Sequence, residues 1–171
     1  MTITSRVTAL AAVLLASAAF PAAAEPVFNR IASFAVADNL PEGDARKTPT
    51  SAEIITASED GNLLVYSDSP GKRVGLIDIT DAKAPKAAGT VSFDGEPTSV
   101  TIAGAKALVA VNTRESFVKP SGLLAIVDLA SKKVDATCDL GGQPDSIAVN
   151  KDRTLAAIAI ENERDEELND G

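Results

Sequence analysis

The chain has 171 residues, of which 45% are apolar and 23% charged, so it can bury a core and is not a disordered tail. With no histidine and one cysteine, it has no Ser-His-Asp triad, no histidine-ligated zinc site and no internal disulfide. A net charge of −8 is unsuited to nucleic acid or anionic lipid, which both need a basic face to displace counterions.

Residues 1–24 read as an export signal. Arg6 precedes an apolar run from Val7 to Ala19, followed by Pro21, the string Ala22-Ala23-Ala24, and then Glu25. A basic start, a short apolar core and a small-residue site predict cleavage after Ala24. The alternative is a membrane anchor, but the run is too short to cross ~30 Å of hydrocarbon and contains Thr8 and Ser17. A lipidated cysteine at the cut is excluded, because the only cysteine is Cys138. The expected mature product is an exported bacterial protein, periplasmic or extracellular, with no transmembrane segment.

Residues 25–48 form an N-terminal segment in which Ile31-Ala32-Ser33-Phe34-Ala35-Val36 reads as a strand. Supplied from the N-terminus, such a strand would pair with a last blade and close a ring, hiding both sheet edges.

Three later segments begin alike: Pro49-Thr50-Ser51-Ala52, Pro97-Thr98-Ser99-Val100 and Pro144-Asp145-Ser146-Ile147, with starts 48 and 47 residues apart. Each is followed by short runs rich in Val, Ile and Ala, such as Asn62 to Tyr66, Ala107 to Val111 and Leu155 to Ile160. Next come Val74 to Ile79 and Leu124 to Leu129, then Gly89 to Phe93 and Val134 to Leu140. Runs of this length bounded by Gly, Pro, Asp and Asn predict strands. Four strands in roughly 47 residues is the content of one propeller blade. The expected fold is all-β, a β-propeller of four-stranded blades at 49–96 and 97–143 with a partial third at 144–171. A β-sandwich is the alternative. A full ring needs at least four blades, roughly 190 residues at this period, so the chain is expected to be an incomplete N-terminal arc.

The run Ala52 to Ile55, the strand Gly75 to Asp81 and the acidic stretch Asn162 to Glu167 together resemble the exported β-propellers named for the choice-of-anchor I domain. That group includes proteins similar to the mesenchyme-specific cell-surface glycoprotein, and some members carry the label alkaline phosphatase. The likeness runs from about residue 30 to the end. A looser one extends to secreted propellers with esterase-like phytase domains. The resemblance implies the fold and export; it carries no mechanism onto numbered residues, and no nucleophile-plus-metal motif of the alkaline phosphatase type is present.

In a propeller, the turns between strands two and three share a rim with the turns that enter the next blade. That rim gathers Arg46, Arg73, Glu96, Arg114 and Gln143 as candidate ligand contacts. Arg46, Lys47, Lys72, Arg73 and Arg114 are a candidate phosphate set, the alternative being scattered surface charge. Glu161, Glu163, Asp165, Glu166 and Asp170 are candidate calcium ligands, since calcium takes six to eight oxygens from such groups. Their spacing does not match the EF-hand loop, and the alternative is a solvated charged loop. Asp78 and Asp128, at the ends of third strands, are expected to bond the turns that follow. Cys138 is expected to be a small buried thiol.

The first function expected is a non-catalytic exported module binding a ligand, a partner or an envelope component. Two rivals stand beside it: a calcium-assisted hydrolase of phosphate or carboxylic esters, and a purely structural envelope protein.

Overall fold

A computed structural model of the protein describes residues 28–41 and 47–165. Among these residues ten strands form three antiparallel sheets in chain order. The first is β1 (Ile55–Ala57), β2 (Leu63–Asp68), β3 (Arg73–Asp78) and β4 (Lys86–Ser92), each paired with the next. The second repeats this order with β5 (Glu96–Ala103), β6 (Lys106–Asn112), β7 (Gly122–Asp128) and β8 (Lys133–Asp139). The third has β9 (Pro144–Val149) and β10 (Ala156–Ile160). Among the described residues the only helical element is a 3-10 turn, Val36–Asn39. No helix there is long and apolar enough to cross a membrane, which says nothing of a β-barrel.

The sheets pack face to face as propeller blades, β2 against β5 and β5 and β6 against β9. Strands covered on both faces are mostly apolar, and β2 and β3 follow this at Val65, Tyr66, Val74, Leu76 and Ile77 while also burying Ser67, Asp68 and Arg73 at one end. Val65, Val74 and Leu76 point into the core shared with the second blade, beside Val100, Ile102, Val109, Val111 and Val127. Tyr66, the neighbour of Val65, points the opposite way and lies over Gly75, where a Cβ would stand 2.1 Å from its ring. The outermost strand of the second blade, β8, is exposed along its whole length. Its alternating Lys133, Asp135 and Asp139 suit an edge that must not recruit another strand.

The repeated prolines have a structural reason. Pro97 and Pro144 are fully buried where each new blade begins, a position that needs no N–H for the ladder. Their carbonyls accept hydroxyl hydrogen bonds from the preceding blade, Ser69 Oγ to Pro97 O at 2.6 Å and Thr98 Oγ1 to Pro144 O at 2.8 Å. Ile147 N adds a bond to Ser99 Oγ at 3.2 Å. Adjacent blades are thus joined by polar stitches as well as by the core.

Two expectations are corrected. Ile31 to Val36 forms no strand: residues 31–35 are irregular and 36–39 make the 3-10 turn. The segment leads into the 3-10 turn, which packs on β3 and β4, and Ile31, Phe34, Leu64, Ile77 and Pro85 line one shallow pocket beside it. Cys138 is exposed, because β8 is an edge strand that nothing among the described residues covers.

Candidate functional site

The rim is built from short connections whose backbones touch. Gly95, between β4 and β5, has no room for a side chain, since a Cβ would lie 2.3 Å from the carbonyl oxygen of Asn112 at the end of β6. This close approach leaves a cleft of about 310 Å³ between the first two blades. Its walls carry Lys72, Asp94, Glu96, Asn112, Thr113 and Arg114. Lys72 holds its place through a left-handed backbone (φ 52°) and donates to Asp94 O at 3.5 Å. Asn112 is only 6% exposed, and its Oδ1 accepts the Arg114 backbone N–H at 3.0 Å.

Arg114 is the hub of the rim. Its Nη1 donates to Gln143 Oε1 at 2.7 Å and to the Glu163 carboxylate. Its guanidinium lies 4.1 Å above the Phe117 ring, a cation–π contact that fixes the plane of the fork. The hydrogen bond from Arg114 holds the Glu163 carboxyl below its ordinary range. Gln143 is buried in the turn that enters the third sheet; its N–H donates to Asn162 Oδ1 at 3.0 Å and its carbonyl accepts from Glu161 N at 2.9 Å. The start of the acidic loop is therefore fastened to the neighbouring blade.

The sequence-predicted rim residues separate into distinct roles. Glu96 and Arg114 line the cleft and Gln143 braces Arg114. Arg73 is buried, with Nε 3.3 Å from the Asp68 carboxylate, which is itself fully buried. Asp68 Oδ1 accepts Ser51 N at 2.9 Å and Gly71 N at 3.1 Å, so Arg73 neutralises a carboxylate that organises the turn instead of facing the cleft. Arg46 lies outside the described residues, as do Glu166 and Asp170. Glu161 and Glu163 are exposed and Asp165 is half-buried. Among the described residues no group of three or more acidic or cysteine side chains is gathered around a point that suits a metal ion.

Asp78 and Asp128 bond the turns that follow them. Asp78 Oδ1 accepts Thr80 N at 2.9 Å, and Asp128 Oδ1 accepts Ser131 N at 2.7 Å. Lys106 Nζ joins Asp128 at 2.8 Å and Asp135 at 2.6 Å.

Sequence reasoning puts Asn112 and Thr113 in a rim turn but does not single them out as ligand contacts. Their signal was available: each ends or follows a second strand, the place where propeller rims begin. Asp68, Asn112 and Asn162 recur there, and each accepts a backbone N–H with its side-chain oxygen.

The model of the choice-of-anchor I domain matches residues 53–171. No protein with a curated description matches the chain. Among solved structures, Kuenenia stuttgartiensis hydrazine synthase is similar with a TM-score of 0.54 and 24% identity, over 71% of this chain and 32% of that one. A luciferin-regenerating enzyme gives 0.45 and 20% identity, over 59% of this chain and 34% of that chain. Myxococcus xanthus glutaminyl cyclase gives 0.46 and 12% identity, over 67% and 45%. The chain thus spans less than half of each solved chain, and the likeness to hydrazine synthase, at 24% identity, concerns the fold alone.

Proposed function

The chain belongs to the choice-of-anchor I domain family, and from that premise we propose that it is an exported binding module whose ligand face is the rim cleft between the first two blades. The observation that carries this reading is the cleft itself, made jointly by loops of two blades and lined by polar side chains held in fixed positions. A site on a rigid sheet scaffold loses little freedom on binding, which favours recognition. The signal-like segment 1–24 supports a periplasmic or extracellular location in a bacterium. Of the calcium ligands expected for the hydrolase reading, Glu163 is engaged by Arg114 and so lends that reading no support. A purely structural envelope role leaves the cleft without a purpose.

Saturation-transfer NMR with a mixed library of sugars, organic phosphates, amino acids and amines tests the proposal. Compounds that bind should lose their signal with Asn112→Asp, which keeps the acceptor for Arg114 N but removes the amide donor. They should also stay chemically unchanged over hours. Binding indifferent to Asn112→Asp, or conversion of the bound compound, contradicts it.

A further inference from the structure

We infer that the rim cleft takes a neutral, polyhydroxylated ligand, a saccharide of one or two rings, an assignment that rests on the cleft being the ligand face. The argument begins with charge. Lys72 and Arg114 are balanced on the same walls by Asp94 and Glu96, and Arg114 is already engaged by Glu163. An anion entering the cleft would meet Asp94 and Glu96 at close range, beside a guanidinium whose charge Glu163 already offsets. A cation would meet Lys72 and the guanidinium. Neither sign gains from the site, and the net charge of the chain, −8, adds nothing for an anion.

Hydrogen-bonding capacity gives the second step. The Oδ1 atom of Asn112 is committed to Arg114 N, so its amide nitrogen is the end left to donate to a ligand. Lys72 donates, Glu96 and Asp94 accept, and the Thr113 hydroxyl, which shares a hydrogen bond with Ser121 Oγ at 3.0 Å, keeps a lone pair to accept one more. A hydroxyl group both donates and accepts, so neighbouring hydroxyls of a sugar ring can answer donors and acceptors set side by side. An apolar ligand would strip water from these groups and leave each of them unpaired. The volume of about 310 Å³ stands at the lower end of small-molecule sites, which span roughly 300–1,000 Å³. That room suits one or two rings.

The test is isothermal titration of the purified protein with maltose, cellobiose, lactose and chitobiose, alongside inorganic phosphate and cadaverine as charged probes. At least one disaccharide should bind saturably, with affinity reduced tenfold or more by Asn112→Asp and by Glu96→Gln. Glu96 is exposed, so its variant leaves the fold intact even if Asn112→Asp does not. Failure of all four disaccharides to bind overturns the saccharide assignment. Phosphate or cadaverine binding that Glu96→Gln weakens, without sugar binding, also overturns it but keeps the cleft as ligand face. Sugar binding that neither substitution touches overturns the cleft as well.

Discussion

The side chain of Asn39 and the backbone of Gly89 exchange two hydrogen bonds: Gly89 N donates to Asn39 Oδ1 at 2.9 Å, and Asn39 Nδ2 donates to Gly89 O at 3.1 Å. Asn39 Nδ2 also reaches Leu76 O at 3.0 Å and the Tyr66 hydroxyl at 3.2 Å. The register of β3 and β4 shifts between Leu76 and Ile77, and Gly89 sits opposite Leu76 with φ 98°. A bulge leaves backbone groups without ladder partners. The Asn39 amide, one donor group and one acceptor like a peptide, fills that gap and ties the N-terminal segment to the first blade.

Asn39→Ala should therefore destabilise the protein by about 2 kcal/mol, since buried groups lose their partners at once. Tyr66 is the only tyrosine and there is no tryptophan, so intrinsic fluorescence during urea unfolding reads this neighbourhood directly. A variant as stable as the wild type would mean that the clamp contributes nothing.

The Tyr66 hydroxyl should ionise above the ordinary tyrosine range, because burial penalises the phenolate. The unfolded chain ionises first, so stability should decline as pH rises past about 10. The Asn39 bond opposes this shift, so Asn39→Ala should push the ionisation higher still. Absorbance titration of tyrosinate in both proteins checks the order.

Asp68→Ala should cost about 3–5 kcal/mol, because it strands the buried Arg73 guanidinium. Asp68→Ala combined with Arg73→Met should recover much of that loss, as the uncompensated charge is gone. Chemical denaturation of the two single variants and the double variant gives the coupling.

At low pH the sign runs the other way. Asp60, Asp78, Asp128 and Asp152 all have carboxyls held below their ordinary range, Asp128 chiefly by Lys106, Asp78 chiefly by Thr80 N, and Asp60 and Asp152 chiefly by the hydroxyls of Ser58 and Thr154. The unfolded chain takes up protons first as pH falls through about 4, so the stability these bonds provide is present above that pH and lost below it. Lys106→Met should flatten this acid dependence, since it raises the Asp128 carboxyl toward its unfolded value. Thermal melts from pH 7 to pH 2 measure the slope.

The period of the blades was legible because a strand must be short, apolar and stopped, and Pro97 and Pro144 stop and start it at matching places. The rim was legible in part. Arg114 and Gln143 are 29 residues apart and Arg114 and Glu163 are 49 apart, so their meeting follows from placing successive repeats side by side. The burial of Arg73 was not seen, although Asp68 and Arg73 face each other across one hairpin. A charged pair next to a turn looks solvent-exposed until the packing of the neighbouring strands is known. The Asn39 clamp spans 50 residues and acts on a bulge, a feature with no signature in local sequence. Ile31 to Val36 reads as a strand because an apolar run of that length is stopped at both ends, yet the described residues offer it no ladder partner.

The cleft between the blades is the centre of this account, and amide chemical-shift mapping of ¹⁵N-labelled protein with maltose, cellobiose, lactose and chitobiose tests it most directly. The account predicts that at least one sugar moves the amides of Gly95, Asn112, Thr113 and Arg114 while those of Gly61 and Asn62, in the turn between β1 and β2, stay fixed. Shifts concentrated at Gly61 and Asn62, or none near Gly95 with any of the four, would contradict it.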